Sequence, residues 1–167
     1  YTNLEGFDLP SDAEWEYACR AGTATAYYWG NSLYGDKANC NGNRPYDPDK
    51  QKTNNSDSLS FLRFAAKMLV EGRNLQKTSH VGSYDANAWG FYDMHGNVWE
   101  WCQDWHEPYT AEAKENPQGA KEGEKPVIRG GCWHYNPIQC TPTYRYSYYD
   151  RTGSGSSTGF RIVLDIK

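Results

Sequence analysis

Thiols, imidazoles and phenols are the groups in this chain that could do chemistry, and their spacing limits what that chemistry is. The five cysteines, Cys19, Cys40, Cys102, Cys132 and Cys140, are odd in number and include no C-x-x-C pair. Neither a zinc ribbon nor a complete disulfide framework is expected, and at most one disulfide has room to form. Cys19 and Cys102 read as small buried hydrophobes, the usual role of an unpaired cysteine. The four histidines, His80, His95, His106 and His134, show no ligand-like clustering. Phenols and hydroxyls are concentrated instead between two stiff brackets, Arg129-Gly130-Gly131 and Gly159-Phe160-Arg161. That composition reads like an antibody loop, in which Tyr buries a rigid ring at low entropic cost and keeps a hydroxyl, while Ser, Thr, Asn and Gly adapt around it. The expected anchors are Tyr135, Tyr144, Tyr146, Tyr148 and Tyr149. The expected adaptable contacts are His134, Asn136, Ser147 and Asp150, followed by Thr152, Ser154, Ser156 and Ser157. Tyr is of intermediate burial, so about half of these rings are expected to pack inward, Tyr144 beside Arg145 above all.

Such a surface needs a frame. The stretch LPSDAEWEYACRAG carries the capping box Ser11-x-x-Glu14, which starts a helix. Trp15, Ala18 and Cys19 fall on one face of it, and Gly22 supplies a left-handed stop. Residues 23–56 have no period and read as long loop tied down by Tyr28 and Trp29. A second helix is expected over Ser58–Asn74, with Leu59, Leu62, Ala66 and Leu69 at helical spacing and an end at Gly72. After a turn at His95-Gly96-Asn97, a short strand places Trp99 and Trp101 on one face and Glu100 on the other. Residues 107–126 read as a solvated excursion. The end alternates as a strand, with Phe160, Ile162, Leu164 and Ile166 facing one way and Arg161, Val163, Asp165 and Lys167 the other.

A chain of 167 residues makes one ordinary domain, and 7 Trp and 14 Tyr mean that rings rather than aliphatics pack its core. No apolar run approaches the roughly 18 residues that a membrane span needs. A net charge of -4, with scattered basic residues, argues against nucleic acid as the main partner.

With LPSDAEWEYACRAG, YYWGN, GNVWEWCQDW, RGGCW and GFRIV in this order, nearly the whole chain resembles the formylglycine-generating-enzyme, or sulfatase-modifying-factor, family. The resemblance implies an α+β, C-type-lectin-like fold with two helices, short antiparallel strands and much irregular loop. It also implies that Tyr1 is a late start, the N-terminal portion of the domain being absent. The family's oxidase holds copper with two thiolates five residues apart, since soft Cu(I) prefers sulfur. Those positions correspond here to Tyr135 and Cys140, so no copper and no catalysis are expected. By the same resemblance a structural calcium would take the carbonyls of His95, Gly96 and Val98 and the side chain of Glu100, hard oxygen donors that suit the ion. A first calcium site carries over only to Asn39 and in part Cys40, its Asp-x-Phe portion having no clear counterpart.

Within this fold, the segment 129–161 resembles the variable region of diversity-generating-retroelement proteins such as the Treponema variable protein. Adenine-specific rewriting in that branch reaches Tyr, Ser, Thr, Asp, His, Asn and Gly but not Trp, Gln, Met, Lys or Glu. From His134 to Thr158 only Gln139 breaks the exclusion. The expectation is therefore a non-catalytic binder of a protein or other cell-surface ligand, displayed at a bacterial surface, with a lipid anchor in the absent portion as one route to that display. The competing readings are a formylglycine-generating oxidase with a rearranged copper site at Cys132 and Cys140, and a binding module of the same fold without diversification.

Overall fold

The computed structural model describes residues 6–48, 74–112, 114–147 and 155–164. The second helix expected over 58–74 falls, apart from Asn74, outside the described residues.

The capping box forms as its spacing requires. The Ser11 hydroxyl accepts the Glu14 N–H at 3.2 Å and the Glu14 carboxylate accepts the Ser11 N–H at 2.8 Å, opening α1 (Asp12–Arg20). Trp15 and Cys19, one turn apart, are both fully buried, and Ala18 packs against them in part. The helix stops one residue earlier than Gly22: Ala21 itself takes the left-handed conformation, φ 45° and ψ 44°, and its N–H closes on the Tyr17 carbonyl. Gly22 follows in the same region of backbone space, so the glycine continues the reversal that Ala21 begins.

Before and after α1 lie β1 (Phe7–Asp8) and, past the long loop, β2 (Trp99–Trp105). β3 (Pro126–Arg129), β4 (Tyr146–Ser147), β5 (Thr158–Phe160) and β6 (Val163–Leu164) complete the strands. A four-stranded sheet runs β4-β3-β2-β5, and β1 pairs with β6 in a second sheet of two strands. Most pairings are antiparallel, but β5 runs parallel to β2, with Trp99 opposite Thr158. β2 is thus an inner strand. Trp99 and Trp101 pack in one cluster while Glu100 bonds Trp15 of another, and Trp99, Glu100, Cys102 and Asp104 are all buried along it. Glu100 is tolerated inside because Trp15 and Arg161 complete its hydrogen bonds.

The single terminal strand expected from the alternation is two short ones in different sheets. β5 joins β2 and β6 joins β1, with a break at Arg161 and Ile162. The break has a cause: Arg161 reaches into the sheet to Glu100, with Nε on Oε2 at 2.6 Å and Nη2 on Oε1 at 2.7 Å. An ion pair to a buried carboxylate overrides the pattern, and Phe160, Ile162 and Leu164 are left exposed rather than in the core.

The loop after α1 is organised by rings, as its composition suggests. Tyr27 is fully buried and stacks on Trp29 at 5.1 Å with planes 2° apart, and Leu33 and Tyr46 form an isolated bridge. The turn before β2 needs its glycine. Gly96 has φ +92°, and a Cβ there would lie 2.3 Å from the Asn39 carbonyl oxygen. That oxygen accepts the Asn97 N–H at 2.7 Å, so loop and turn are clamped backbone to backbone.

Candidate ligand-binding surface

The frame of the 129–161 segment begins with a buried charge. Arg129 ends β3 with no exposed surface, and its guanidinium bonds Asp12 Oδ1, Glu16 Oε2 at 2.7 Å, the Tyr109 hydroxyl, and the carbonyls of Pro142 and Tyr144. Burial works against the charge, yet Asp12 and Glu16 hold its pKa above the ordinary value. One side chain therefore ties α1 to the backbone beneath the recognition segment. Gly130 and Gly131 follow with φ of +91° and +74°. A Cβ on Gly131 would sit 2.5 Å from the Cys140 sulfur, so the bracket is glycine because the short 3-10 turn Pro137–Cys140 folds directly onto it.

Above this frame, Trp99 is the floor. It is 2% exposed, and Tyr135 meets it edge-on at 5.2 Å while Tyr146 stacks on it at 5.5 Å with planes 26° apart. Tyr144 leans on the same ring at 6.0 Å, and Tyr135 approaches Tyr146 at 6.3 Å. His134 extends the row, 4.9 Å from Tyr135 and 4.5 Å from Trp133. Tyr135 and Tyr144 are half-buried, whereas His134 and Tyr146 are exposed. Burial pushes the Tyr135 phenol up, the neighbouring Tyr146 adding to the effect.

Of the expected contacts, the structure brings His134, Tyr135, Tyr144, Tyr146 and Ser147 together around Trp99 and β4. Ser156 and Ser157 border them: the Ser156 carbonyl accepts Trp133 Nε1 at 3.3 Å and the Ser157 carbonyl accepts the Trp99 N–H at 2.8 Å. Asn136 has a more structural part, since it opens the 3-10 turn, its N–H on Gln139 Oε1 and its carbonyl receiving the Gln139 N–H. Tyr148, Tyr149, Asp150, Thr152 and Ser154 lie outside the described residues. A cavity of about 520 Å³ between α1 and the 107–119 excursion, lined in part by Glu16, Tyr17 and Tyr109, shares none of these contacts. Sequence reasoning missed Arg129 as the organiser; an arginine closing the apolar run Pro126–Ile128 was the available signal.

The family described as the sulfatase-modifying factor enzyme 1-like domain matches residues 1–166. The chain belongs to the sulfatase-modifying-factor family. It is 34% identical over 174 residues to the formylglycine-generating enzyme of Streptomyces coelicolor, covering 99% of this chain and 49% of that protein. To the formylglycine-generating enzyme of Mus musculus it is 30% identical over 172 residues, covering 99% of this chain and 41% of the relative. The chain thus spans about half the length of these relatives or less. Among solved structures it is similar to Treponema denticola variable protein 1, with a TM-score of 0.69 and 27% identity over 97% of this chain and 49% of that one. This likeness joins the C-type-lectin-like fold of the family to the variable-protein branch.

Sulfatase-modifying-factor chemistry would need thiolates at positions 135 and 140. Tyr135 is a phenol set edge-on to Trp99, and Cys140 is fully buried, its thiol pushed up by its neighbour Cys40 and by burial. Cys132 is likewise buried and raised by desolvation, with its sulfur 3.4 Å from His134 Nδ1. Among the described residues no group of three or more His, Cys, Asp or Glu side chains is arranged to hold a metal.

For calcium the two implied positions differ. Asn39 presents a buried Oδ1 with no hydrogen-bond partner among the described residues, a donor such an ion could use. Glu100 does not fit: both its oxygens are taken by the Arg161 guanidinium, with Trp15 Nε1 on Oε2 at 2.6 Å, so a dication would have to displace a cation already in place. His95, Gly96 and Val98 lie at the turn, where the Gly96 N–H donates to the Gly130 carbonyl at 2.7 Å.

Proposed function

We propose that this chain is a non-catalytic ligand-binding protein, with residues 134–158 forming a replaceable recognition surface on a fixed frame. One observation carries the reading: where the oxidase would keep a thiolate, Tyr135 joins Tyr146 and His134 in an aromatic row over Trp99. A phenol is no ligand for a soft metal but a good anchor for a macromolecule. The row lies outside the cavity between α1 and the 107–119 excursion, which favours a broad partner, a protein or other cell-surface molecule, over a small substrate. The similarity to a variable protein supports the same reading.

The enzymes among the relatives support a second one, a copper oxidase using Cys132 and Cys140. Against it stand the burial of both thiols and the upward push on each, which keep them protonated. Oxygen uptake by the Cu(I)-treated full chain with a cysteine-containing peptide separates the two readings. No uptake is expected; uptake lost in Cys140→Ser would establish the oxidase instead. The binding reading is tested by sequencing this gene from many isolates. Differences should concentrate within codons 134–158, beside a near-copy of the segment that differs at adenines, and an even spread of differences would overturn the diversified surface.

A further inference from the structure

Cys40 and Cys140 lie 100 positions apart in sequence and meet in the core. Both are fully buried in one cluster with Tyr27, Leu33 and Ala38, close enough for the Cys40 thiol to bear on the ionisation of the Cys140 thiol. Neither is part of the aromatic row.

The backbone on either side holds them there. Asn41 donates its N–H to the Tyr135 carbonyl at 2.9 Å, joining the residue after Cys40 to the segment that leads into Cys140. From the other direction, the Tyr27 hydroxyl donates to the Pro137 carbonyl at 2.8 Å, and His95 Nδ1 bonds the Cys140 carbonyl at 2.7 Å. Gly131 lies on a third side, where a Cβ would come within 2.5 Å of the Cys140 sulfur. Two thiols in one buried cluster, on segments that the fold pins independently, are placed for a cross-link.

We infer that Cys40 and Cys140 are a disulfide site, closing a cross-link between the 38–42 loop and the 3-10 turn under the recognition segment. Cys19 and Cys102 belong to the separate cluster around Trp15, and Cys132 packs with Trp99 and Ile128, its sulfur turned to His134. The oxidant is a low-molecular-weight disulfide. One cysteine thiolate attacks it and expels a thiolate; the second cysteine then attacks the mixed disulfide and expels the other. Two protein thiols and one small disulfide become one protein disulfide and two small thiols, with no other reactant. Because both sulfurs are enclosed in the folded chain, the exchange takes place while the chain is open and folding sets the pair.

The site does not depend on the ligand-binding reading, since a chain that binds nothing would still form it. The full chain, reduced and unfolded in urea, is refolded with oxidised glutathione, alkylated and mapped by mass spectrometry. The expected result is a Cys40–Cys140 linked peptide, two hydrogens lighter than the reduced pair, with Cys19, Cys102 and Cys132 alkylated. Oxidation should also raise Tm by roughly 10 °C, a loop this long giving a large effect. That rise should persist in Cys132→Ser and vanish in Cys40→Ser. Five alkylated cysteines, or a link through Cys132, would overturn the inference. The wild-type map decides even if Cys40→Ser does not fold.

Discussion

Replacing Arg129 by methionine is the most severe test of the frame. The substitution keeps a long apolar stem and removes a guanidinium that serves Asp12, Glu16, Tyr109 and two carbonyls of the 142–144 stretch. Afterwards Asp12 keeps Arg145, 2.7 Å away, and Glu16 keeps Arg20 at 2.9 Å, so neither carboxylate is left alone. The Pro142 and Tyr144 carbonyls, however, lose this donor, and Asp12, 6% exposed, loses half of its charge compensation. Breaking a buried pair by removing one partner costs about 3–5 kcal/mol. A domain of this size has roughly 5–15 kcal/mol in all, so the variant should sit near the edge of folding. Urea unfolding of both proteins, compared at equal slope, measures the loss. Combining Arg129→Met with Asp12→Asn should cost less than the sum of the two changes, because the second removes a charge whose compensation the first has halved. A loss under about 1 kcal/mol for Arg129→Met would refute the reasoning, since a guanidinium without exposed surface would then be doing nothing for the fold.

Ala21 holds the left-handed position at the end of α1, where glycine meets no Cβ penalty, so Ala21→Gly should stabilise by about 0.5–1 kcal/mol in the same assay. His95 is buried and neutral, Nδ1 donating to the Cys140 carbonyl and Nε2 accepting the Tyr28 N–H, and burial lowers its pKa from 6.5 to about 4. The unfolded chain therefore takes up the proton first as pH falls: stability is full above 6.5, declines between 6.5 and 4, and loses about 3 kcal/mol from this group below that. Unfolding measured across that range should show a flatter profile in His95→Gln than in the native chain, and identical profiles would remove the buried neutral imidazole. Trp99→Ala should cost about 3–5 kcal/mol because the floor of the surface is a core ring, whereas Tyr146→Ser, at an exposed position, should shift stability by less than about 1 kcal/mol. Equal losses in thermal unfolding would mean that the surface is not replaceable.

Local signals were legible in the sequence because their physics is local. The capping box at Ser11 and Glu14 depends on neighbours within one turn of chain, and the helical spacing of Trp15 and Cys19 and the glycines of the 95–97 turn and the 130–131 bracket are marks that single residues carry. The motif order announced the family. What sequence could not decide were meetings across long separations. The clean alternation from Phe160 to Leu164 implied one strand, but Arg161 had a buried carboxylate 61 residues away to satisfy, and an unpaired Glu100 would cost more than a broken ladder. The same distance rule hid Arg129 beneath the surface, Trp99 as its floor, and Cys40 against Cys140. Residue type and spacing determined which groups were available; only tertiary packing decided which of them had to share a low-dielectric interior, where every charge and polar atom must find a partner.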